Sequence, residues 1–151
     1  MGVSCFNELD VKIQYILEIH NEKRGLHKSP PLIQNNYLNE LAKEYAKKLS
    51  NGQNCFKTFN EKPLGENIYI VKGINFDVFD MCTNWYNEIK NYDKNNASYQ
   101  RETSHFTQMI WKNTKEIGFG LKRKDGIYYG VVLYYPAGNI LGEYEENVVF
   151  I

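Results

Sequence analysis

The chain of 151 residues lacks a disulfide framework: its three cysteines, Cys5, Cys55 and Cys82, are odd in number and stand at unrelated spacings. That excludes a disulfide-stapled scaffold and a CxxC metal knuckle, and it implies a reducing, cytoplasmic compartment. A long apolar run is missing too, since nothing approaches the roughly 20 residues a membrane span needs. The stretch Met1-Gly2-Val3-Ser4-Cys5-Phe6-Asn7-Glu8-Leu9-Asp10 has no apolar core of a secretory signal. Net charge is absent as well, with 18 basic residues against 18 acidic ones. A phosphate-binding surface needs a clustered positive field, so nucleic acid is excluded as the main partner. Repeats and linkers are also lacking, which leaves one domain over residues 1–151, large enough to enclose a core without metal.

Aromatic side chains are plentiful, with 12 Tyr, 8 Phe and 2 Trp. Leu9, Ile13, Ile16 and His20 recur at helical spacing and predict an amphipathic helix over 8–24, capped by Asn7 and stopped at Gly25. His20 falls on its apolar face and reads as a hydrogen-bonded core histidine. After the extended Ser29-Pro30-Pro31-Leu32 comes a second helix, capped by Asn36, with Leu38, Leu41, Ala42, Tyr45 and Leu49 as its buried stripe and Gly52 as its end. Residues 50–65 read as an irregular loop pinned by Phe56 and Phe59. Ile68-Tyr69-Ile70-Val71 is a strand, preceded by Gly65-Glu66-Asn67 and ended by Gly73. A third helix over 75–91 carries apolar residues around most of its circumference, Phe79 among them, and should be buried between layers. Ile117, Phe119 and Leu121 alternate, as do Ile127 to Tyr135, around a Lys124-Asp125-Gly126 turn, which is a hairpin.

The stretch Ser104 to Thr114 sets a polar ring, His105, in a run otherwise made for burial. Phe106, Met109 and Ile110 give a short helix with Ser104 as N-cap. Glu88 lies three residues after Trp85 and four before Tyr92, so its carboxylate borders an apolar face and needs a partner or a cation. Glu66, Glu88 and His105 are therefore the polar candidates on three separate elements. Wide apolar helix faces with a small antiparallel sheet predict a layered α+β domain, helices covering both sheet faces.

Four motifs carry a resemblance to a known family. His20-Asn21-Glu22-Lys23-Arg24, Gly65-Glu66-Asn67-Ile68, His105-Phe106-Thr107-Gln108-Met109-Ile110-Trp111-Lys112-Asn113-Thr114 and Tyr134-Tyr135-Pro136-Ala137-Gly138-Asn139 resemble, in order, the signatures of the CAP superfamily: cysteine-rich secretory, antigen 5 and pathogenesis-related 1 proteins. The intracellular, Golgi-associated plant pathogenesis-related type is the most similar. The resemblance implies an α-β-α sandwich and a cleft tetrad of two histidines and two glutamates able to hold zinc. Glu66, Glu88 and His105 match three of its positions, and Cys55 stands where the family has its other histidine. Two arrangements follow. Either a Cys55 thiolate replaces the imidazole as a zinc ligand, or the site has lost metal competence and His105 hydrogen-bonds to Glu66 or Glu88; the second is the expectation, with no resident cofactor.

By the same resemblance, the chain is expected to be a non-enzymatic binding protein that associates with anionic membranes or lipids, the Golgi included, with protein partners and a homodimer as further expectations. Gly2 occupies the N-myristoylation position and Cys5 lies close enough to take a second acyl chain. Phe6 stands where that motif needs Ser or Thr, which counts against the anchor. The alternative is a hydrolase with Glu66 or Glu88 as base and His105 as ligand or acid. No serine stands beside Gly65-Glu66-Asn67 to serve it as a nucleophile.

Overall fold

A computed structural model describes residues 7–54 and 58–150. The first helix, α1, spans Glu8–Leu26, and its start follows the sequence: Asn7 Oδ1 accepts from Asp10 N–H at 2.8 Å while Asp10 accepts from Asn7 N–H at 3.3 Å, a reciprocal capping box. The expected stop at Gly25 is not there. Gly25 stays helical, with open space where a Cβ would sit, and the chain turns at Lys28 with φ 57°. A two-residue strand β1 (Ile33–Gln34) precedes α2 (Asn36–Ser50), whose cap is Asn35, not Asn36: the Asn35 side chain accepts from Tyr37 and Leu38 N–H.

The expected irregular loop before Gly65 contains a small ladder, β2 (Thr58–Phe59) with β3 (Lys62–Pro63), and Phe59 packs edge-on against Tyr135. Phe56 lies outside the described residues. Strand β4 covers Gly65–Lys72, so the Gly65-Glu66-Asn67 signature belongs to the strand itself. The expected single helix over 75–91 is two pieces, α3 (Val78–Tyr86), capped by Asp77, and a 3-10 turn over Asn87–Asn91. Phe79, expected among its buried residues, is half exposed. Helix α4 (Ser104–Ile110) follows, then the hairpin β5 (Glu116–Lys124) and β6 (Ile127–Tyr135), and a last turn, α5 (Tyr144–Asn147). Asp125 and Gly126, both at positive φ, make the tight hairpin turn.

The sheet order is β1-β5-β6-β4. The expectation of an antiparallel sheet needs correcting, because β1 pairs with β5 in parallel and the sheet is mixed. The extended proline segment leads the chain straight into that pairing. Alternation along β6 then builds two cores. Val131 and Leu133 face α2 with Ala42, Tyr45 and Ala46, while Val132 and Tyr134 face α1, α3 and α4 with Ile16, Trp85 and Phe106. Gly118 and Gly120 let α2 lie close, since a Cβ at either would overlap the α2 backbone at Leu38–Asn39 or Ala42–Lys43. The result is an α-β-α sandwich.

Candidate functional site

Helix α4 has only seven residues, too short to persist on packing-free propensity. Burial of Phe106, Met109 and Ile110, each contributing about 1.5–3 kcal/mol, fixes one face. Charge fixes both ends. Ser104, expected as the N-cap, lies inside the helix, and no side chain of the cap residue Thr103 caps it. The role falls to Glu88 on the preceding 3-10 turn: its Oε1 accepts from His105 N–H at 2.9 Å and Phe106 N–H at 3.0 Å. At the other end the buried Arg24 guanidinium donates to the carbonyls of Met109, Trp111 and Thr114 at 3.1, 2.8 and 2.8 Å, and through Nε to Pro30 O at 2.8 Å. A carboxylate at the N-terminus and a cation at the C-terminus oppose the helix dipole at both ends. Burial pulls the Arg24 pKa down to about 10, which leaves it charged at neutral pH.

Glu88 also orients the ring. Its Oε2 accepts from His105 Nδ1 at 2.8 Å, which places the proton on Nδ1, and Trp85 stacks on the imidazole with centroids 5.7 Å apart and planes within 2°. His105 Nε2 is left with no hydrogen-bond partner among the described residues. The His105 side chain is 33% exposed, enough for a ligand to reach that nitrogen. Of the two partners expected for His105, Glu88 is therefore the one observed.

Glu66 sits elsewhere. Successive residues of a strand leave opposite faces: Asn67 points toward α4 and donates to His105 O at 3.1 Å and to the Tyr134 hydroxyl at 3.2 Å, whereas Glu66 accepts from the Tyr45 hydroxyl of α2 at 3.1 Å. Its carboxyl meets solvent, yet the flanking surface desolvates it enough to raise its pKa, an effect the Tyr45 hydrogen bond partly offsets. Cys55 lies outside the described residues, as do Gly2 and Cys5. Among the described residues no three His, Cys, Asp or Glu side chains group closely enough to hold a metal. Glu66 and Glu88 are engaged separately, Glu66 with Tyr45 of α2 and Glu88 with the N-terminus of α4.

The remaining motif residues hold the cleft together. Tyr134 hydroxyl donates to His20 Nε2 at 2.6 Å, and His20 Nδ1–H donates to Ile16 O at 2.8 Å. Burial holds His20 down at about 4, neutral as this pattern requires. Asn139 accepts from the Thr107 hydroxyl at 2.6 Å and donates to Ser104 O at 2.9 Å, and Gln108 Oε1 accepts from Gly138 N–H at 2.9 Å. A Cβ on Gly65 or Gly138 would run into Gln108. Arg24 and Asn67 are the residues whose roles the sequence reading missed. A signal existed for Arg24, which continues the Ile13, Ile16, His20 stripe by four more residues. Larger grooves of about 600 and 560 Å³ run beside α1 and include neither Glu88 nor His105.

A sandwich in which these four motifs lock one glutamate-capped histidine helix defines a CAP domain, and the chain belongs to that family, the cysteine-rich secretory protein family, whose profile matches residues 17–135. It is 36% identical over 139 residues to the human Golgi-associated plant pathogenesis-related protein 1, covering 89% of this chain and 90% of that one. It is 37% identical over 133 residues to Protein PRY2 of Saccharomyces cerevisiae, of which it spans only 39%. Among solved structures, NaASP2 with Zn2+ aligns with a TM-score of 0.73 at 21% identity over 99% of this chain and 90% of that chain, a likeness of fold. No helix among the described residues is long and apolar enough to cross a membrane.

Proposed function

We propose that this chain is a non-catalytic CAP-domain binding protein that docks peripherally on anionic membrane surfaces, those of the Golgi included. The observation that carries the reading is a basic groove of about 360 Å³ between α2 and the end of β5, lined by Lys43, Lys47 and Lys122 with Leu121, Glu40 and Glu44. Lys48 stands beside it on α2. Lys124 reaches over the same face, donating to Asn51 at 2.6 Å. Five lysines against two glutamates leave a net three positive charges, worth about 3 kcal/mol on an anionic leaflet at about 1 kcal/mol each. Such binding is weak and reversible, and a second attachment such as an acyl chain on Gly2 would make it stable. The similarity to a Golgi-associated relative points the same way.

Binding is favoured over catalysis because Glu88, the carboxylate nearest His105, already serves three donors that organise α4. Flotation with phosphatidylcholine vesicles, with and without phosphatidylinositol, tests the proposal. The protein should float only with the anionic lipid, and the triple variant Lys43→Glu, Lys47→Glu, Lys122→Glu should not float. Binding should also fade as salt rises and the screening length falls from about 10 Å toward 3 Å. Equal recovery of variant and parent would sink it.

A further inference from the structure

The outward side of α1 is apolar at one place. Val11 and Tyr15 lie one turn apart and are 42% and 43% exposed, and the Tyr15 ring packs against Phe79 of α3 with centroids 5.2 Å apart. A groove of about 560 Å³ runs along one side of the Val11–Tyr15 ridge, and one of about 380 Å³ runs along the other, toward α3. Single exposed apolar residues are ordinary, but three side by side, on a ridge with a groove at each flank, are the form one helix presents to another. The rim of this face is acidic. Asp10 and Glu18 line the first groove and Asp77 the second, and none of the three forms an ion pair among the described residues. Lys12, the one cation among the described residues lining either groove, is spent on Glu8 at 3.3 Å. Three uncompensated carboxylates therefore surround an apolar ridge on a chain whose net charge is zero.

We infer that this α1–α3 face docks a basic amphipathic helix of a partner protein, whose apolar side chains enter the two grooves while its lysines and arginines meet Asp10, Glu18 and Asp77. Charge chooses the occupant. Nucleic acid and an anionic lipid surface would both meet like charge here, whereas a basic helix meets opposite charge. A helix fits better than a strand because the ridge is itself helical: residues at i and i+4 leave grooves inclined to receive the matching row of a second helix. The carboxylates are also held in place beforehand. Asp10 accepts from Asn7 N–H in the capping box, Glu18 from the Gln14 amide at 3.1 Å, and Asp77 from the N–H groups of Phe79 and Asp80 at 2.8 and 3.4 Å. Docking therefore costs them little side-chain freedom. The inference does not rest on the membrane reading. The lysines of that reading lie on α2, across the sheet, so a domain held to a membrane through α2 leaves this face open, and a free domain leaves it open equally.

Amide shift mapping by NMR tests it, with a synthetic Leu/Lys peptide of about 15 residues as the probe, its leucines at i, i+3, i+4 and i+7. Shifts should change around Val11 and Tyr15 and at Phe79, and not on α2. The same peptide with Glu in place of Lys should not bind. Asp10→Asn, Glu18→Gln and Asp77→Asn combined keep both helix caps and remove the charge. That variant, shown to be folded by circular dichroism, should bind about tenfold or more weakly and lose the salt dependence of the parent. Val11→Ser with Phe79→Ser keeps the charge and should lose about tenfold as well. Absence of binding at about 1 mM peptide, shifts spread over the whole surface, or a charge-neutralised variant that binds like the parent overturns the inference. So do shifts at Tyr15 and Phe79 that grow with the concentration of the parent chain alone, which would assign the face to a second copy.

Discussion

Acidification should unfold this protein through His20. The ring is fully buried, with Nδ1–H committed to the Ile16 carbonyl and Nε2 to the Tyr134 hydroxyl, and Tyr134 is itself held by Asn67. A proton added at Nε2 would have to displace the donor already there, in a fully buried site. Burial lowers the pKa from its ordinary 6.5 to about 4, with the neighbouring Arg24 charge acting the same way and the Ile16 hydrogen bond opposing. The folded value lies below the unfolded one, so the unfolded chain binds the proton first. The stability contributed is complete above pH 6.5 and is lost as pH falls toward 4. Between pH 7 and pH 5 the loss is about 2 kcal/mol, from 1.36 kcal/mol for each unit of separation between the two titrations. His27, buried with Nδ1 on Val149 O and Nε2 on the Tyr86 hydroxyl, is also shifted down by burial and adds to the loss. Glu66, shifted up, opposes it.

The measurement is urea unfolding at pH 7 and pH 5 for the parent chain and His20→Gln, a variant whose amide can still donate to Ile16 and accept from Tyr134 but cannot titrate. Carboxylates and His27 are common to both chains and cancel in the double difference. The parent should lose about 2 kcal/mol more than the variant over that interval. Nitrogen shifts of the His20 ring should report an unprotonated Nε2 throughout. Parallel pH slopes for the two chains, within about 0.5 kcal/mol, would refute the buried neutral imidazole on which the argument rests.

Three further outcomes follow from the same geometry. Arg24→Met removes the guanidinium from four carbonyls, of which Trp111 O keeps the Thr114 N–H, and should cost about 3–5 kcal/mol in denaturant unfolding, while Arg24→Lys, which keeps the charge but not the fork, should fall between. Glu88→Gln removes the charge at the α4 N-terminus and one of the acceptors serving His105 and Phe106. It should cost about 1–2 kcal/mol and speed amide exchange at His105 and Phe106. Gly120→Ala forces α2 off the sheet and should cost about 2 kcal/mol or more, whereas Gly25→Ala, in open helical space, should raise stability by about 0.5–1 kcal/mol; thermal melts of the pair separate the two glycine roles.

The layered fold was legible because periodicity reports burial directly: Ile13, Ile16 and His20 on α1, and alternation from Ile127 to Tyr135 on β6, each read correctly to its face. Boundaries were less legible. Gly25 reads as a stop because glycine is favoured at helix ends, but here nothing requires its left-handed freedom, and α1 continues. Strand β1 is two residues long and exists only because Glu116 and Ile117 lie beside it, a pairing no local pattern encodes. In the site, Glu88 with His105 could be anticipated from a carboxylate on an apolar border. The position of Glu66 could not, because nothing local marks Gly65-Glu66-Asn67 as part of the strand, and only once it is does Glu66 take the α2 face with Ile68 while Asn67 takes the other.

The cap geometry separates scaffold from function in the motif that contains His105. Phe106, Thr107, Gln108, Met109, Ile110 and Trp111 are spent on the core, on Asn139 and on Gly138. Glu88 is spent on backbone N–H groups, and Arg24 on backbone carbonyls. Among the described residues of that motif, what remains for a ligand is one nitrogen, His105 Nε2, aimed by Glu88 and backed by Trp85. A single oriented nitrogen can accept a hydrogen bond or take one coordination position, and the nearest described carboxylate, Glu88, is already a helix cap. Replacing His105 by Gln should therefore leave stability within about 1 kcal/mol, since the amide can still donate to Glu88, and vesicle flotation through the α2 lysines should not change. If His105→Gln abolished flotation while the fold persisted, the ligand would have to engage the cleft itself rather than the basic groove.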